Sequence, residues 1–228
     1  MKKIIVIMMF IILSGILWAG DTAVFVDLGF SANGKTYAFA QYGIQSNTLK
    51  PWAEIYIVDV ARNNFVDGGR LSYVHDSPVS AGQDGSGAFF RLLTRNTALA
   101  DRYGLNFMLQ GQPLFISPDE PSAPPRQIIE FRDFETGSSY RAELVPAVMG
   151  KDAGLTSSFY INLEQTKNGV KKTYTVGTPS VKRALIESYR IRKVIKVPED
   201  GSLIMIIEMK KQNGLDYDIR FMVEALRL

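Results

Sequence analysis

The chain has one histidine, His75, followed directly by Asp76 and Ser77. A Ser-His-Asp hydrolase uses these three side-chain types, but it assembles them at one centre from separate elements. Three neighbours in sequence do not point at one atom, and no Gly-x-Ser-x-Gly elbow accompanies them. His75 is therefore read as a loop histidine. There is no cysteine, which excludes thiolate metal sites, a cysteine nucleophile and a disulfide framework. With one histidine and no thiolate, zinc lacks its usual ligands. Calcium needs only oxygen atoms. Asp84-Gly85-Ser86 and Asp119-Glu120 lack the alternating Asp/Asn spacing of a calcium loop, however, and read as solvated turns. The glycines stand singly in turns, so neither a phosphate loop nor a dinucleotide fingerprint forms. A carboxylate pair for glycoside hydrolysis would have to meet in space, not in sequence. No catalytic, cofactor-binding or metal-ligating residue is assigned.

Charge offers one concentration, Lys182, Arg183, Arg190, Arg192, Lys193 and Lys196. On a strand, Arg190, Arg192 and Lys196 share a face and Lys193 opposes them. The simplest reading is an edge strand that charge protects from aggregation. The functional reading is weak contact with anionic lipid headgroups or an acidic partner.

The first residues bear on that balance. Lys2 and Lys3 open the chain, Ile4 to Leu17 is almost wholly apolar, and Trp18-Ala19-Gly20 ends in small residues. These three regions make a secretory signal peptide over 1–19, with the cut expected after Ala19. Loss of Lys2 and Lys3 lowers the 26 basic side chains to 24 against 23 acidic ones, and the net charge from +3 to +1. Nothing in that balance is a nucleic-acid footprint. The expected location is periplasmic or secreted. Without a cysteine there is no site for N-terminal lipid attachment, and the exported body is held by its core alone.

The elements that would position any site are strands. Asn33-Gly34 can take the positive φ angles of a tight hairpin turn. Thr36 to Tyr42 alternates, with Tyr37, Phe39 and Gln41 opposed to Ala38, Ala40 and Tyr42. Glu54 to Asp59 alternates as well. Short strands are expected at Phe65-Val66 and Leu71 to Val74, and another at Gln112 to Ser117. Two hairpins follow, one turning at Glu135 to Ser138 and one at Asn168-Gly169. Val181 to Glu187 reads as either a helical turn or a strand. Tyr189 to Val197, Leu203 to Met209 and Asp216 to Leu226 read as strands. The one amphipathic helix starts near Gly87 with Ser86 as its N-cap. Its stripe is Phe89, Leu92, Leu93, Asn96, Leu99 and Tyr103, and Gly104 closes it. Pro118 to Pro125 has four prolines in eight residues, so it cannot pair as a central strand. It marks a possible internal boundary of an otherwise single domain, 20–228.

Gly29-Phe30-Ser31-Ala32-Asn33-Gly34-Lys35, Ala38-Phe39 and Ile55-Tyr56-Ile57-Val58-Asp59 resemble one blade of a TolB-type β-propeller. Ala32 and Asn33 stand where that pattern has Pro and Asp. With Gln41-Tyr42-Gly43 and Val58-Asp59-Val60-Ala61, the stretch more closely resembles a family of bacterial predicted secreted proteins without assigned activity. TolB-type domains are associated with partner binding, and the resemblance implies the same expectation here. The fold expected is mainly β: antiparallel meanders in two packed sheets, or a small degenerate propeller-like arrangement. The function expected is that of an exported envelope protein that binds a protein or peptide without catalysis. The competing reading is a periplasmic hydrolase acting on a glycan or cell-wall substrate through carboxylates, which a buried carboxylate pair in a deep cleft would favour.

Overall fold

A computed structural model describes residues 20–80, 82–118 and 124–228. The expected leader at 1–19, and 119–123 within the proline-rich segment, lie outside the described residues. The elements in order are β1 (Val24–Ser31), β2 (Thr36–Ile44), β3 (Pro51–Asp59), β4 (Asn64–Val74), α1 (Ser86–Arg95) and α2 (Thr97–Arg102). Then come β5 (Leu105–Asn106), β6 (Gln112–Ile116), β7 (Gln127–Asp133), β8 (Ser138–Met149), β9 (Thr156–Lys167) and β10 (Val170–Val176). The chain ends with β11 (Arg183–Ala184), β12 (Ile186–Lys196), β13 (Leu203–Asn213) and β14 (Asp216–Leu226).

The fold is mainly β and antiparallel. The strands form three sheets, where the sequence suggested two. An N-terminal sheet has the order β4-β3-β2-β1-β5, a central sheet β14-β13-β12-β6, and an outer sheet β10-β9-β8-β7 with β11 beside β9. The three stack, with the helices on the far side of the N-terminal sheet. Alternation in β2 and β3 builds the first two contacts. Tyr37, Phe39 and Val58 face the central sheet, where they meet Ile195, Ile204 and Ile206. Ala38, Ala40, Ile55 and Ile57 face α1, where they meet Ala88, Phe89 and Leu92. The small alanines let the helix lie close. The run Leu203-Ile204-Met205-Ile206-Ile207 is buried throughout because its strand has a sheet on each face. Leu203, Met205 and Ile207 pack on Leu144, Phe159 and Ile161 of the outer sheet.

This stack also limits the propeller resemblance. In a propeller, a blade packs on the blade that follows it in sequence. Here the sheet that follows the N-terminal meander packs on the C-terminal meander instead, and no barrel closes among the described residues.

Turn chemistry explains the hairpins. Asn168 and Gly169 both have positive φ, 50° and 76°, as a two-residue primed turn requires. The first turn departs from expectation. Only Gly34 is left-handed, at φ 66°. The Asn33 carboxamide instead accepts from the Lys35 N–H at 3.1 Å and the Ser31 hydroxyl at 2.8 Å.

Other expectations are corrected. The single helix divides at Asn96, whose side chain donates to the Leu92 carbonyl at 2.8 Å and so competes with the continuing ladder. The N-cap is Gly85, not Ser86; the Ser86 hydroxyl donates to Asp84. The two short strands before the helix are one, β4, whose pairing with β3 shifts register between Tyr56 and Val58. Val181 to Glu187 holds β11 and a sharp bend at Leu185, with φ 62°. Leu155 O and the Gln212 N–H pin the Leu185 backbone on both sides, at 2.9 and 2.7 Å.

Candidate functional site

A cleft of about 440 Å³ opens where the turn after β3 meets β14 and the segment joining β10 to β11. Arg62, Asn63, Phe65, Arg183, Met222 and Glu224 are among its lining residues. Glu224 sits on β14, the strand at one margin of the central sheet. It is 5% exposed, and burial raises its carboxyl above the ordinary glutamate range, against the lowering effect of the Asn63 amide and the Arg183 charge. Asn63 is held at φ 48°, a region asparagine tolerates. In that pose its amide donates to Glu224, and its carbonyl accepts from the Ala225 N–H at 2.7 Å.

Asn63 has a counterpart farther along the same edge. The Gln41 carbonyl accepts from the Phe221 N–H at 2.8 Å, and the Gln41 amide donates to Glu54 at 2.8 Å. Ile219 exchanges backbone bonds with Asp21 and Ala23. So the outer edge of β14 is paired by a short N-terminal segment at Ile219 and by side-chain amides at Phe221 and Ala225. Strand parity aims the Val223 backbone at that same edge.

Arg183 is placed by stacking on Phe159, with the guanidinium carbon 5.1 Å from the ring centroid. No carboxylate lies within ion-pair distance of Arg183 among the described residues. Arg62 is 84% exposed and its distance to Asp59 is 3.8 Å, so it stays free to swing. The cleft thus combines two guanidiniums, one reluctant carboxylate, carboxamides and an apolar wall of Val58, Phe65, Val181 and Met222. That set holds polar ligands; with one carboxyl it cannot provide an acid and a nucleophile.

The residues singled out by sequence lie elsewhere. His75 follows β4, and its Nδ1 accepts from the Ser77 N–H at 3.0 Å. It lines a surface depression of about 390 Å³ with Asp84 and Gln83. Asp84 is already engaged by the Ser86 hydroxyl and N–H, which hold it below its usual value. Among the described residues, no group of three or more His, Cys, Asp or Glu could hold a metal.

The basic run is not on an edge. β12 pairs with β13 on one side and β6 on the other. Arg190 is buried. Arg192 meets Glu208 at 3.4 Å, and Lys193 meets Asp27 at 3.5 Å. Lys196 meets Asp133 at 2.9 Å and Glu135 at 2.8 Å. Register shifts between Ile186 and Ser188 and between Ile191 and Lys193 break the alternation, so Arg190, Arg192 and Lys196 do not form one exposed face.

A buried carboxylate pair does exist, Asp21 with Asp218. It is closed off. Asp21 accepts from Trp52 Nε1 at 2.6 Å and Arg220 Nη2 at 2.7 Å, and Arg220 stacks on Trp52 at 4.3 Å. Neither aspartate lines the clefts described above. Another large depression, about 420 Å³ on the outer sheet, is an open face of cross-strand charges such as Lys171 and Glu164 at 2.8 Å.

The family model for Predicted secreted protein (DUF2259) matches residues 38–227. The chain belongs to that family. No curated protein and no solved structure matches it. The matched span holds the cleft, the central and outer sheets, and the N-terminal sheet apart from β1 and the first two residues of β2. The family's description names secretion and no activity. For this family member, Glu224 and Asn63 escaped sequence reading because no motif joins them across 161 positions. One signal was present: a carboxylate set in the apolar run Phe221-Met222-Val223-Glu224-Ala225-Leu226, where a buried charge needs a reason.

Proposed function

We propose that this is an exported, non-enzymatic binding protein whose ligand is a short peptide seated in the Glu224–Arg183 cleft. One observation supports the reading above the others. The cleft lies along a strand edge on which carboxamide side chains, Gln41 and Asn63, already make the bonds that a neighbouring backbone would make. A surface of that kind recognises peptide groups. Its volume of about 440 Å³ is within the usual range for small-ligand sites. The hydrolase alternative has less support, because the buried carboxylate pair is sealed by Arg220 and the cleft holds a single acid.

Site-directed photo-cross-linking in the native host tests this. Benzoylphenylalanine at Val181, on the cleft wall, is expected to capture a peptide. The same group at Lys172, on the far edge of β10, is expected to capture none. Equal capture at both positions, or capture at Lys172 alone, would contradict it.

A further inference from the structure

The cleft has an uneven charge pattern, and it selects among peptides. Its two cations differ in how they are held. Arg183 is fixed in place by Phe159, with no acid in ion-pair range among the described residues. Arg62 projects from the turn after β3 and is mostly in solvent. The single acid, Glu224, is buried, with one oxygen taken by Asn63. A guanidinium fixed by stacking presents a planar fork of donors that matches a carboxylate. Beside it, Asn64 and Thr178 offer groups for an amide, and Phe65, Val181 and Met222 offer apolar surface.

We infer that the cleft binds a peptide by its terminal carboxylate, with Arg183 as the anchoring fork, Arg62 closing from the turn, and the last side chain against Phe65 and Met222. This rests on the cleft being the peptide site. It adds a pH dependence. Glu224 is faced by Arg183 from β11 and by Arg62 and Asn63 from the turn after β3. An ionised Glu224 competes for Arg183 and repels the incoming anion. A protonated one donates to it. Burial already favours the proton, so affinity is expected to fall as pH rises above the ordinary glutamate range, where the ligand is already ionised.

The test uses the mature protein and two pools of N-acetylated tripeptides, one of free acids and one of C-terminal amides. The expected result is retention of the acids at least about tenfold above the amides. Arg183→Gln is expected to abolish that preference. Arg62→Gln, at an exposed turn position, is expected to weaken it with folding intact. Glu224→Gln keeps a donor and is expected to keep the preference while flattening its pH profile. Equal retention of both pools, lowered by Phe65→Ala but not by Arg183→Gln, would overturn the carboxylate inference and leave the peptide cleft standing. Retention of neither pool would overturn both. Retention of octanoate in place of either pool would also overturn the peptide source.

Discussion

At the scale of single residues, buried charges set the behaviour. Burial raises Glu224 above its ordinary 4.5. The folded protein therefore holds that proton more tightly than the unfolded chain. The stability this contributes is complete below the unfolded pKa and is lost as pH rises through the folded one. Glu224→Gln cannot ionise. Urea unfolding between pH 4 and 8 should show wild type losing stability relative to the variant as pH rises; parallel curves would contradict the assignment. Burial raises Asp21 as well, against the lowering effect of the Arg220 charge and the Trp52 N–H. Asp21 depends on Arg220 and Trp52, so Arg220→Leu leaves a buried carboxylate without its cation. The expected loss is about 3 kcal/mol in urea unfolding. Single residues were also the least legible in sequence. Asp21, Trp52 and Arg220 carry no local pattern, and only the fold brings them together. His75 was legible as a loop residue because its neighbours in sequence supplied its partner, Ser77.

Elements show where local rules prevailed and where packing overrode them. Alternation located β2 and β3 because period two is fixed by the pleat and each face meets a different layer. Turn residues located the hairpins for equally local reasons. What escaped was the interruption of regular elements: Asn96 splitting the helix, and the bend at Leu185. Both are set by side-chain or tertiary bonds. Carboxamides bridging the sheets also escaped. Gln127 accepts from the Ile191 N–H at 2.7 Å and donates to the Ile191 carbonyl at 3.3 Å, beside the register shift in β12. Gln127→Leu strands that backbone pair, and chemical unfolding should show a loss of about 1–3 kcal/mol. The helix permits a paired comparison. Phe89 is buried under Tyr42, whereas its neighbour Phe90 is 58% exposed. Phe89→Ala should cost about 3–5 kcal/mol, and Phe90→Ser less than about 0.5. Similar losses would mean that the helix docks by another face.

Across the whole molecule, three sheets in a stack place the most protected strands in the middle. β12 and β13 have partners on both edges and apolar layers on both faces. Their amides should exchange slowest with deuterium, and those of β4 and β10, each with one free edge, faster. The stack was only partly legible. Mainly β, antiparallel and one helical region followed from periodicity, but which sheet covers which depends on the joint burial of Ile204 and Met205 on opposite faces. The same arrangement leaves β14 as the margin where N-terminal and C-terminal meanders meet, and there the Glu224 cleft opens. Titration of the isotope-labelled protein with acetylated free-acid tripeptides, followed by amide NMR, tests that placement most directly. The account predicts shifts concentrated at Asn63, Arg183 and Val223 to Ala225. Shifts concentrated instead along the β10 edge or around His75 would contradict it.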